Sequence, residues 1–216
     1  MLSDLSKKGV NIERVVRRAS RDKEVLSEVM KGISSDEPRV KYGCAKVLRA
    51  LSEANPEVLY RRWNFFADML DSDNTFLKSD AAFVIANLTK VDTKGKFENL
   101  FNRFFKLIDD ESMVTAANVV KVSGLIARAK PELQSRITNR LLNIDKTHHG
   151  LECKNIVKGH AILALGEYFE ESRNKKRILE FVKKQLKNSR SGTRKKAERF
   201  LKERDRRRSQ RREESC

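Results

Sequence analysis

Only three prolines and nine glycines occur in 216 residues, so little interrupts helices, and almost no stretch alternates apolar and polar residues as a strand does. Cysteine is equally sparse: Cys44, Cys153 and Cys216 lie far apart, odd in number and without a CxxC pair. They read as free thiols, and a cytoplasmic location is expected. No run reaches the roughly 18 apolar residues of a membrane span, and the opening MLSDLSKKGVNIERVV lacks the apolar core of a secretory signal. A glycine-rich phosphate loop, GxSxG and HExxH are all missing. These absences point to a helical chain without a recognisable catalytic motif, cofactor or metal site.

What is abundant is charge of one sign at one end. Residues 172–216 hold 19 Lys/Arg against 6 Asp/Glu, a net +13 of the total +17, so the remaining 171 residues are nearly balanced. A second abundance is repetition. ISSDEPRVKYGCAKVLRAL (33–51), LDSDNTFLKSDAAFVIANL (70–88) and LIDDESMVTAANVVKVSGL (107–125) place Asp36, Asp73 and Asp110 at one position, spaced by 37 residues. Val40, Leu77 and Val114 coincide, as do Leu48, Ile85 and Val122, and Leu51, Leu88 and Leu125. A fixed period of roughly 20 to 50 residues is the mark of a repeat array.

Helical spacing predicts a capping helix within 1–21, then hairpins near 22–54, 56–91, 96–129, 131–171 and 175–204, and a basic tail over 205–216. Pro38, Pro56 and Pro131 suit first helical turns, where a missing N–H costs nothing, and Asn55 reads as an N-cap before Pro56. Val157, Leu165 and Tyr168 continue the register with an offset of 43, so DKTHHGLECKN carries about six extra residues. Thr193, Ala197 and Leu201 follow at an offset of 36. Each hairpin has an apolar stripe that only a stacked neighbour buries.

The second helices resemble the HEAT-repeat pattern: a turn aspartate, a hydrophobic and then a basic residue, and small apolar residues beyond. The residues that carry it are Asp36 with Val40-Lys41 and Cys44-Ala45, Asp73 with Leu77-Lys78 and Ala81-Ala82, and Val157-Lys158 with Ala164-Leu165-Gly166. Thr115 departs at the basic position, and Cys153 and Ser189 replace the aspartate in the last two copies. The resemblance implies an all-α, right-handed superhelical solenoid of about five hairpins over residues 22–204. It also implies a ladder in which Asp36, Asp73 and Asp110 accept hydrogen bonds from Lys41, Lys78 or backbone N–H groups.

Function is written more thinly. The expectation is a non-catalytic scaffold for a protein partner. The alternative partner is nucleic acid, held without sequence preference by the basic end: Arg194, Lys195, Lys196, Arg199, Lys202 and Arg204, then Arg206, Arg207, Arg208, Arg211 and Arg212. No aromatic residue follows Phe200, so base stacking is not expected there. Second helices add Lys41, Lys46, Arg49, Lys78, Lys121, Lys158, Lys195 and Arg199, offset in part by Asp80 and Glu167. A third reading is a HEAT-like alkylpurine DNA glycosylase. It needs aromatics in a groove, yet Trp63, Phe65, Phe66, Phe101, Phe104 and Phe105 sit at spacings typical of hairpin interiors. His148, His149 and Cys153, with His160 beyond, lack paired zinc-ligand spacings and read as a solvated insertion that can serve as a contact element.

Overall fold

A computed structural model describes residues 11–213, so Met1–Val10 of the predicted cap and Cys216 lie outside the described residues. Among the described residues the secondary structure is helical throughout. In chain order the helices are α1 Ile12–Ala19, α2 Lys23–Gly32, α3 Pro38–Ala54, α4 Pro56–Tyr60, α5 Trp63–Met69 and α6 Thr75–Leu88. There follow α7 Lys96–Lys106, α8 Met113–Ala129, α9 Gln134–Leu142, α10 Leu151–Gly166, α11 Lys175–Gln185 and α12 Ser191–Glu213. No helix among the described residues is long and apolar enough to cross a membrane.

Two compact units make up the chain, Met1–Phe104 and Phe105–Cys216. In the first, α1 packs on α2 and α3, α3 packs on α6, and α4 and α5 cover α6. In the second, α8, α10 and α12 pack in succession, while α9 and α11 form the other layer. Each unit thus has one layer of first helices and one of second helices, as the paired stripes require.

Caps fix the helix starts. Asn11 accepts the Arg14 N–H at 2.9 Å, Asp22 accepts those of Glu24 and Val25, and Asn74 those of Phe76 and Leu77 at 3.1 Å. Asn55 makes no side-chain cap, contrary to expectation; its backbone N–H instead closes α3 on the Leu51 carbonyl at 2.8 Å. The first helix of the hairpin expected near 56–91 breaks at Arg61–Arg62. Both arginines stay in solvent, while Leu59 and Trp63 on either side are buried. At the C-terminus α12 continues through the basic end to Glu213.

The predicted register places the core with three exceptions, Val114, Leu125 and Leu201, the last two of them half-buried. Val40, Leu48, Leu51, Leu77, Ile85, Leu88, Val122, Val157, Leu165, Tyr168, Thr193 and Ala197 are all buried. Val114 is 45% exposed, and its neighbour Thr115 is buried in its place. The third copy is rotated by one residue at the start of α8. Small residues set the helix spacing: a Cβ on Gly124 would lie 2.7 Å from the Ala164 carbonyl oxygen. That contact lets α8 and α10 approach closely.

Cys44 is fully buried, and burial pushes its thiol up to about 11, whereas Cys153 is half-buried on α10. Iodoacetamide at neutral pH is expected to label Cys153 in the folded chain and Cys44 only on unfolding. Peptide mapping that finds Cys44 labelled as fast as Cys153 would contradict this packing.

Candidate binding face and histidine cluster

Hydrogen bonds link neighbouring hairpins through several side chains of the described residues. Asp36 and Asp73 stand exposed in their turns, and Asp110 accepts the N–H of Ser112 at 3.0 Å. In the first unit the rungs are Asn87 Nδ2 donating to Ser52 Oγ at 3.0 Å, the Tyr60 hydroxyl donating to Asp92 at 2.6 Å, and Arg103 clasping Asp71. In the second unit Asn155 is the hub. Its side-chain oxygen accepts from Asn188 at 2.9 Å, and its carbonyl accepts from Thr193 Oγ1 at 2.7 Å. Asn87, Asn155 and Ser52 are buried, so each bond also satisfies a group that would otherwise be desolvated without a partner.

The second-helix layer of the first unit is largely self-compensated. Arg49 pairs with Asp80 at 3.5 Å and Glu53 at 3.7 Å, and its guanidinium lies 3.4 Å above the Phe83 ring centre. Burial raises the Asp80 carboxyl against the opposing pull of Arg49. Beside this network Phe76 is 64% exposed and meets Tyr42 edge-on at 5.7 Å.

In the second unit the corresponding layer is basic. His160 is half-buried on α10 between Lys121 of α8 and Lys196 of α12. Its imidazole is held below its ordinary range, first by burial and then by the charges of Lys196 and Lys121. The His160 Nδ1 is enclosed and has no hydrogen-bond partner. Lys196 is itself lowered by burial and by Arg190. Lys195 and Arg199 are exposed on α12, and Leu163, 47% exposed, adds an apolar spot one turn from His160. Lys158, counted with this face from sequence, is buried and tied to Asp145 at 2.5 Å. Glu167 is the acid expected here; burial raises its carboxyl, and Arg128 opposes that rise.

The residues assigned to the basic end divide. Arg194 donates to the carbonyls of Asn188 and Ser189 at 2.8 Å, Arg199 pairs with Glu203 at 2.6 Å, and Arg204 lies 3.5 Å from Asp205. Lys195, Lys202, Arg206 and Arg207 are exposed. The side chains of Arg208, Arg211 and Arg212 lie outside the described residues. Trp63, Phe66, Phe101, Phe104 and Phe105 are buried, so none of them is presented to a nucleotide.

The insertion turn differs from the solvated loop expected. His149 is 8% exposed, and the structure gathers Asp109, His148 and His149 in one cluster that Cys153 does not join. Sequence spacing missed this site because Asp109 lies 39 residues before His148.

No protein-family model matches the chain, and no curated protein matches it by sequence. Solved structures do match. One is an engineered protein solved by a structural genomics consortium, with a TM-score of 0.57 at 15% identity over 93% of each chain. Another is a designed armadillo repeat protein in complex with the peptide (KR)4, with a TM-score of 0.59 at 15% identity over 93% of this chain and 96% of that one. The fold is an armadillo/HEAT-like repeat solenoid. At such identities the likeness carries architecture alone, and any role for this repeat array rests on its own surface.

Proposed function

We propose that this repeat array is a non-catalytic scaffold that binds an extended, acidic segment of a protein partner along the second-helix face of residues 105–216. The observation that carries it is the row in which Lys121 and Lys196 flank the imidazole of His160, with Lys195, Arg199 and the exposed Leu163 alongside. A carboxylate-rich strand laid over it meets positive charge at successive helices and one apolar anchor. The complex of the designed armadillo protein with the basic peptide (KR)4 supports peptide binding by such arrays, and the opposite sign of this face favours acidic residues here.

A labelled Glu/Asp-rich peptide containing leucine is expected to bind in low salt, and Lys121→Glu with Lys196→Glu to weaken it at least about tenfold. An anion over His160 also raises its proton affinity, so binding strengthens as pH falls through the histidine range. Absence of saturable peptide binding in low salt sinks the reading. The second reading, nucleic acid on α12, rests on the exposed Lys202, Arg206 and Arg207. It predicts tighter binding of single-stranded DNA than of the peptide, lost when those three are changed to glutamate and unaffected by Lys121→Glu.

A further inference from the structure

The turn before α10 interrupts the repeat period, and the acidic-peptide face does not use it. It begins with a single helical turn over Ile144–Lys146 and ends at Gly150, the residue before α10. His148 docks on Asp109, which closes the turn Leu107–Asp109 after α7. The His148 backbone N–H donates to Asp109 Oδ1 at 2.8 Å, and the same oxygen lies 2.6 Å from His148 Nδ1. That much is an ordinary tie between neighbouring hairpins. His149 is what the tie leaves over. Its ring centre is 4.3 Å from that of His148, it is more than nine-tenths buried, and its Nε2 has no hydrogen-bond partner.

We propose that Asp109, His148 and His149 form a binding site for a divalent transition-metal ion of the zinc type. One donor atom from each lies within 4.8 Å of the others. Zinc takes imidazole nitrogen at about 2.0–2.1 Å and carboxylate oxygen at about 2.0–2.2 Å, so donors around one tetrahedral ion stand on the order of 3.4 Å apart. Side-chain rotation covers the difference. Two imidazoles beside one carboxylate select zinc over calcium or magnesium, which prefer oxygen alone. Three protein donors leave the fourth position to water or to a partner's side chain. The His148 backbone N–H steadies the carboxylate independently of the ring, as an outer-shell contact should. Asp109 and His148 are about half exposed, so an ion reaches the site from solvent. Bound there, it clamps the turn after α7 to the turn before α10.

The test uses the untagged full-length chain, stripped with a chelator and titrated with zinc by calorimetry and with cobalt by visible absorption. One ion per chain is expected, together with a rise in the thermal midpoint. Outer-shell changes at metal sites cost about 10- to 100-fold in affinity, so loss of a ligand should cost at least tenfold. Asp109→Asn and His149→Gln are expected to meet that mark, and Cys153→Ser to leave the affinity unchanged. Asp109→Asn keeps an acceptor for the His148 N–H on an exposed side chain, which separates a lost ligand from a lost fold. Failure of the folded wild-type chain to bind zinc saturably overturns the proposal. So does undiminished affinity in Asp109→Asn, or loss of the ion in Cys153→Ser alone.

Discussion

Tyr168→Ala is expected to lower the unfolding free energy by about 3–5 kcal/mol, the range for deleting a fully buried aromatic ring. Tyr168 follows α10, has no exposed surface, and its hydroxyl is 2.9 Å from Thr138 Oγ1 on α9, which is also fully buried. Alanine removes the ring and strands the threonine hydroxyl. Tyr168→Phe keeps the ring and strands only that hydroxyl, at about 1–3 kcal/mol. The gap between the two variants in urea unfolding separates packing from hydrogen bonding. Equal losses would mean that the ring itself contributes nothing.

The same residue sets an alkaline limit. Burial pushes the Tyr168 phenol from 10.0 up to about 12, partly opposed by the bond from Thr138. The folded chain therefore holds this proton to a higher pH than the unfolded chain does. The stability so contributed is complete below pH 10.0 and is lost as pH rises toward about 12. Over that window the advantage of wild type over Tyr168→Phe should shrink by roughly 2–3 kcal/mol. Paired unfolding curves on either side of the lower limit check it, and a constant difference would rule out titration at this position.

Tyr168 also marks how far the sequence could be read. Its burial follows from the register of Val40, Leu48 and Leu51 carried through four copies, because apolar spacing along one helix is a local property. Thr138 as its partner does not follow, since that bond spans 30 residues and depends on how two hairpins stack. Other links between hairpins are hidden for the same reason. Asp36 and Asp73 share a repeat position but face solvent, while Asn155, Asn87 and Asp92 link hairpins through contacts that spacing does not reveal. His149 is the sharpest case. Adjacent histidines in a glycine-ended insertion suggest a solvated loop, and only the stacked turn of Asp109 turns them inward.

Phe97→Ala should cost the first unit about 3–5 kcal/mol as well, and here the loss comes from a cluster. Phe97 is fully buried, with edge-on contacts to Phe104 at 5.4 Å and to Phe101 at 6.3 Å. Each such contact adds roughly 0.5–1.5 kcal/mol beyond area burial. Its backbone N–H donates to Asp92 Oδ2 at 2.9 Å, while Asp92 Oδ1 accepts the Lys96 N–H at 3.0 Å and the Tyr60 hydroxyl at 2.6 Å. One buried carboxylate thus caps α7 and fastens it to α4, and the ring beneath it fills the space that the cap defines. Phe97→Leu restores most of the volume without the ring edges, so it should recover more than half of the loss. Hydrogen exchange at the amides of residues 96–101 reads the outcome directly. Protection unchanged in Phe97→Ala would mean that the Asp92 cap holds this helix start without the aromatic cluster.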